Sequence, residues 1–223
     1  MKSKSHFKCP ICFTANEPHI NNYFICSECD SFYLFPIKSK DYVEGYWDAY
    51  YFNIQYQSSM IDYYDGLINE NKNIFNQEVL EIGSGLGYFI RVCNSLSIRN
   101  MGVDRNRSAI ICAKLLNNVS IDYMDVEDPF SMIEMAGKFK VKTICLYNVL
   151  EGFQTPVQTM KYIRQFSDKY IHLIVSAREI EGIKPTNFCM YSQKTIETLA
   201  NKIDCNIDRI INDGKTYQVT LTV

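Results

Sequence analysis

Val79-Leu80-Glu81-Ile82-Gly83-Ser84-Gly85-Leu86-Gly87-Tyr88-Phe89 carries one acid in an apolar run and then breaks into three alternating glycines. Val79, Leu80 and Ile82 read as a short buried strand, the glycines as a tight turn, and Tyr88 onward as a helix with apolar positions at Phe89, Val92, Cys93 and Leu96. Side chains at 83, 85 and 87 would stand between a ligand and the peptide planes, and glycine alone takes positive φ there without steric cost. A small polar ligand at the helix N-terminus is the simplest reason for such a turn, although an unliganded strand-to-helix turn also satisfies a bare Gly-x-Gly.

Asn100-Met101-Gly102-Val103-Asp104 reads as a second strand closed by an acid. It falls about 20 residues past the first glycine, where a doubly wound fold sets a carboxylate against ribose hydroxyls. Turn and acid together point to an adenosine-type ligand. A dinucleotide site wants Gly-x-Gly-x-x-Gly, but position 88 is Tyr and the third glycine stands at 87. Glu81-Ile82-Gly83-Ser84-Gly85-Leu86-Gly87 instead resembles the first motif of the class I S-adenosylmethionine (SAM)-dependent methyltransferases. The resemblance covers roughly residues 75 to 223. It implies that Gly83, Gly85 and Gly87 lie against the methionine part of SAM, that Glu81 orients its amino group, and that Asp104 binds its ribose. It also implies that Asp125 meets the adenine amino group and the Val126 backbone the ring, with Glu127 and Asp128 as rival acids. Ser84, Arg105, Asn148 and Tyr50 complete the candidate cofactor-binding set.

A second signal lies near the amino terminus. Cys9-Pro10-Ile11-Cys12 and Cys26-Ser27-Glu28-Cys29 are two C-x-x-C pairs separated by 13 residues. Each pair presents two thiolates to one ion, so Cys9, Cys12, Cys26 and Cys29 close a tetrahedral, structural Zn2+ site with no open position. So short a segment cannot bury a core, and metal binding worth on the order of 10 kcal/mol would supply its folding energy. With a hairpin between the pairs and a strand from Phe32 to Pro36, the segment resembles a zinc ribbon.

The 223 residues, 47% of them hydrophobic, suffice for one ordinary domain plus a small module. Nine cysteines without a secretory pattern favour thiols and metal ligation over disulfides, and no apolar run is long enough for a membrane span. A cytoplasmic protein without an anchor is the expectation. The net charge of −2, from 23 basic and 25 acidic residues, gives no global field for nucleic acid.

From Asp41 to Tyr64 the chain is crowded with aromatics, which suit either a helical lid over a wet pocket or a simple packing linker. Tyr46 and Tyr50, a turn apart, are the rings expected near the sulfonium. Strands are expected over Val119–Tyr123, Lys140–Tyr147, Tyr170–Val175, Ile207–Ile211 and Tyr217–Val223, and helices around Ala109–Leu116, Val157–Ile163 and Ile196–Ile203. The closing hairpin resembles the family's sheet, which has one antiparallel strand inserted near an edge. Where that family often reads Leu-Glu-His, this chain has Leu150-Glu151-Gly152, so one possible base is gone; Glu151 either orients a substrate hydroxyl or caps local structure. His172 lies inside a strand and reads as a hydrogen-bonded core residue, Arg178 and Glu179 as better placed to face substrate, and Glu181–Met190 as a loop lining the acceptor pocket.

The resulting expectation is an α/β chain: a zinc ribbon over 1–38, an aromatic-rich helical connector or lid over 39–74, and a Rossmann-like methyltransferase sheet with helices on both faces over 75–223. The expected activity is SAM-dependent methyl transfer to a small-molecule acceptor such as a sugar or sugar nucleotide. RNA methylation and a non-catalytic cofactor- or partner-binding module are the alternatives.

Overall fold

The structure, a computed structural model, describes residues 7–16, 23–34, 38–53, 57–128, 130–131, 141–177 and 187–223. At its centre lies a seven-stranded sheet built from β5 (Val79–Ile82), β6 (Asn100–Asp104), β7 (Asp122–Tyr123), β8 (Val141–Tyr147), β9 (Ser167–Ser176), β11 (Asn206–Asn212) and β12 (Thr216–Thr222). Its order is β11-β12-β9-β8-β5-β6-β7. The five strands from β7 to β9 pair in parallel, and β12 runs antiparallel between β9 and β11, as expected for the closing hairpin.

Alternation along each central strand feeds two cores. Leu80, Ile82, Ile144 and Leu146 face one apolar cluster, and Val79, Cys145 and Tyr147 face the other. Both faces are therefore covered, which is why these strands read as continuous apolar runs. Helices α4 (Tyr88–Ser95) and α5 (Arg107–Asn117) follow β5 and β6, and α6 (Pro156–Arg164) precedes β9. Leu96, expected on the apolar face, is instead the C-cap residue just past the end of α4 and is 42% exposed. The third strand shrinks to Asp122–Tyr123, with Val119 and Ile121 buried ahead of it.

The aromatic stretch falls in two helices, α1 (Lys40–Asn53) and α2 (Ser58–Glu70), and a short α3 (Lys72–Phe75) follows before β5. The amino-terminal module contains the pairs β1 (Phe7–Lys8) with β2 (Ala15–Asn16), and β3 (Tyr23–Ile25) with β4 (Phe32–Leu34). Its second sheet takes a third strand from far along the chain: β10 (Cys189–Met190) pairs antiparallel with β4, Cys189 opposite Tyr33 and Met190 opposite Phe32. Cys189 and Met190 are thus strand rather than loop. Arg178, Glu179 and residues 181–186 lie outside the described residues.

Candidate cofactor site and four-cysteine centre

The glycine turn leaves β5 at the point where successive strands run to opposite sides, the crevice in which open α/β sheets hold ligands. Gly83, Gly85 and Gly87 all have positive φ, at 72°, 52° and 72°. The amides of Gly83 and Ser84 donate to the Val103 carbonyl at 2.8 and 3.1 Å, tying the turn to β6. Asp104 completes the tie: one carboxylate oxygen accepts from Gly85 N at 2.8 Å and the other from Asn106 N at 2.7 Å.

A cavity of about 370 Å³ opens over this turn. Glu81, Gly83, Ser84, Gly85, Asp104, Arg105, Asp125, Val126, Asn148 and Tyr50 all border it. Gly87 does not. A Cβ there would meet Val119 Cγ2 at 2.4 Å, so this glycine serves its positive φ and the packing of α4 on the chain after α5, not exposure of backbone to a ligand. Gly83 is also packed, its absent Cβ lying 2.3 Å from Val149 Cγ2.

Glu81 is the most unusual group in the cavity wall. Alternation turns it to the same face as Val79, where it is 3% exposed. Its Oε2 has no hydrogen-bond partner among the described residues. Burial pushes its pKa from 4.5 to about 8, with Ser84 pulling back and the nearby Asp104 charge adding to the rise. A buried carboxyl with an orphaned oxygen suits a cationic ligand group. Burial also raises Asp104, against the pull of the Asn106, Gly85 and Arg105 backbone amides and of the Arg105 charge.

The far end of the cavity is cross-braced. Arg105 pairs with Glu127 at 3.3 Å, and Glu127 accepts from Gln154 N and Thr155 N just ahead of α6. Asp125 accepts from Glu127 N at 3.0 Å and Val126 is buried beside it. Asn148 follows β8 in the left-handed region at φ 55°, its amide donating to Ile174 O.

Helix α1 roofs the cavity with Trp47, Tyr50 and Tyr51, whose rings pack on one another at centroid distances of 5.3 to 5.8 Å. Tyr46 packs edge-on against Trp47 and is not among the lining residues. Tyr51, which residue spacing alone did not single out, stands over the glycine turn, its hydroxyl 3.0 Å from where a Gly85 Cβ would lie. The helix is anchored by Asp48, which accepts from Asn106 Nδ2 at 2.9 Å.

Two other candidates have structural roles. His172 is fully buried between Tyr147 and Gln218, each 3.2 Å away, and burial lowers its pKa to about 3, as expected of a core histidine. Glu151 is 2% exposed and does not line the cavity; it accepts from Ser176 N at 2.5 Å, fastening the turn after β8 to the end of β9.

Cys9, Cys12, Cys26 and Cys29 converge, all four Sγ atoms lying within 4.8 Å of one another. The two pairs fold alike. Phe13 N donates to Cys9 O and Asp30 N to Cys26 O, both at 3.0 Å, and Cys9 N to Thr14 O and Cys26 N to Ser31 O, both at 2.9 Å. A tetrahedron with metal–sulfur bonds of about 2.3 Å has edges of roughly 3.8 Å. The Sγ–Sγ distances of 3.6 Å for Cys9–Cys29 and 3.3 Å for Cys12–Cys26 are near that edge, so the thiols fit a four-coordinate ion.

No protein-family model and no curated protein matches the sequence. Solved structures do. Magnesium protoporphyrin IX methyltransferase from Synechocystis PCC 6803, with bound SAH, superposes with a TM-score of 0.62 at 12% identity, over 82% of this chain and 99% of that one. A SAM-dependent methyltransferase from Aquifex aeolicus gives 0.56 at 14% identity, over 76% and 100%. A putative methyltransferase from Haloferax volcanii, in complex with the Trm112 methyltransferase activator, gives 0.56 at 12%, over 79% and 96%. Strand order, the antiparallel insertion and the crevice coincide with this likeness: the chain has the fold of the class I SAM-dependent methyltransferases, preceded by a four-cysteine centre.

Proposed function

We propose that the chain is a SAM-dependent methyltransferase acting on a small molecule, with Zn2+ held structurally by Cys9, Cys12, Cys26 and Cys29. The observation that carries this reading is the buried Glu81 carboxyl, whose oxygen lacks a partner among the described residues at the edge of a cavity of cofactor size. Glu81 would take the amino group of SAM, Asp104 the ribose, and Asp125 with Val126 the adenine. Tyr50 and Tyr51 would bring π faces or a hydroxyl to the sulfonium end. When bound, SAM supplies a methyl group on a good leaving group. The chain's own share is to orient donor and acceptor within roughly 3 Å and keep water out, which α1 does by roofing the cavity.

Charge favours a small acceptor over RNA. Among the described lining residues Arg105 is the one basic side chain, already paired with Glu127, and it stands against Glu44, Glu81, Asp104, Asp125 and Glu127. Such a wall offers phosphates no counter-charge, which counts against RNA and, to a lesser degree, against nucleotide sugars. No described helix is long and apolar enough to cross a membrane. Incubation with methyl-labelled SAM and separate pools of small metabolites, nucleotide sugars and total RNA tests the reading: label should enter a small-molecule pool, and label in RNA alone would overturn it.

A further inference from the structure

A second cavity, of about 180 Å³, lies between the four-cysteine module and the main sheet unit. Phe153 borders both cavities, and their walls run on from Gly152 to Gln154 and from Asn187 to Phe188. We propose that this second cavity is the recognition pocket for the acceptor, and that it takes a monocyclic aromatic body bearing a carboxylate. The inference rests on the methyltransferase reading for its role, but not for its ligand chemistry.

Size sets the first limit: a cavity of about 150 Å³ accepts a benzene ring, so 180 Å³ admits one substituted ring and not two. The walls set the second, since Phe13, Leu34, Phe153 and Phe188 present apolar surface unsuited to a sugar. Charge sets the third. Lys8 stands at the rim and makes no ion pair among the described residues, which favours an anionic substituent.

Phe13 adds an exposed aromatic face to the same pocket wall. It has φ 67°, a conformation bulky side chains rarely adopt, and its ring is 52% exposed. The corresponding residue of the second C-x-x-C turn is Asp30, at φ 58°, a residue type far more at home there. The positive φ thus belongs to the turn that both C-x-x-C pairs share, while the Phe13 ring stays exposed with Lys202 Nζ 5.8 Å from its centroid, a second cation beside this wall of the pocket.

The test uses the full metal-loaded chain and benzoate as probe, followed by saturation-transfer NMR and calorimetry, with benzyl alcohol and glucose as neutral and polar comparisons. Benzoate should bind saturably in the millimolar range and glucose should not. Lys8→Met should weaken benzoate at least fivefold and leave benzyl alcohol unchanged. Phe13→Gly should weaken both aromatics while holding or raising the thermal midpoint, because glycine tolerates the positive φ; a merely structural ring would instead lower that midpoint. No saturable benzoate binding, equal binding of glucose, or benzoate binding untouched by Phe13→Gly overturns the proposal. SAH binding measured on the same samples separates the two claims, since its loss removes the methyltransferase reading whatever benzoate does.

Discussion

Glu81 and His172 are both buried in the sheet, and they push stability in opposite directions as pH changes. Folding raises Glu81 from 4.5 to about 8, so between those values the folded chain holds a proton that the unfolded chain has lost, and stability falls with rising pH by at most about 1.4 kcal/mol per unit. Folding lowers His172 from 6.5 to about 3, so stability rises with pH across that interval. The two oppose each other between pH 4.5 and 6.5, and of the pair only Glu81 titrates from 6.5 to 8. Denaturant titrations of ligand-free protein over that window should show wild-type stability declining and Glu81→Gln nearly level; parallel slopes would contradict the assignment. A second expectation concerns the turn. Gly83→Ala meets both a positive φ and Val149 Cγ2 at 2.3 Å, and should cost about 2–4 kcal/mol, with part recovered in the Gly83→Ala/Val149→Ala double variant. Equal stability of the two variants in thermal unfolding would deny that contact. At this scale much was legible: Glu81, the turn and Asp104 sit at fixed offsets on one strand–turn–helix and its neighbour. That Gly87 packs against Val119 and does not border the cavity is not visible in spacing, because Val119 comes to it from beyond α5.

At the scale of elements, α1 matters most. It hangs over the cavity by the Asp48–Asn106 hydrogen bond, and Asn106 also caps α5 through Ala109 N at 2.7 Å. Removing Asp48 leaves that cap in place. Asp48→Ala should therefore weaken SAH binding about three- to tenfold with little change in global stability, read from the fluorescence of Trp47, the chain's single tryptophan. Unchanged affinity would show that the helix does not depend on that bond for its position. Which aromatics of α1 reach the cavity was not legible, since composition does not set the rotation of a helix. Tyr50 borders the cavity, Tyr46 packs on Trp47, and Tyr51 takes the place over Gly85. The β10–β4 pair was equally hidden, being two residues long and paired with a segment far away in sequence, beyond any local periodicity.

Across the whole molecule, the four-cysteine centre and the sheet share one core. Cys9, Cys26, Cys29 and Phe24 belong to the same apolar cluster as Leu80, Ile144 and Ile171. Polar links follow the same route: Thr195 Oγ1 donates to Cys29 O at 2.8 Å, Leu34 N to Phe188 O, and Phe188 N to Glu151 O in the turn that borders the cavity. Metal removal should thus be felt beyond the module. Chelation under reducing conditions should raise hydrogen exchange at residues 188–191 and 150–153 as well as within 7–34, whereas changes confined to 7–34 would show the centre to be a separate unit. The two C-x-x-C pairs made the four-cysteine cluster legible in sequence; its attachment to the sheet rests on β10 and the Ser192–Thr195 helix cap, which no motif marks.

In the proposed function, recognition of SAM in the cavity over the glycine turn falls to Glu81 and Asp104. Calorimetric titration of SAH into the metal-loaded chain, in buffers of different ionisation enthalpy, tests it most directly. One molecule should bind per chain with release of a proton from Glu81 near pH 7, and Glu81→Gln should abolish the release and Asp104→Ala most of the affinity. Absence of saturable binding, or binding indifferent to both substitutions, would show that this cavity does not receive SAM through those two carboxylates.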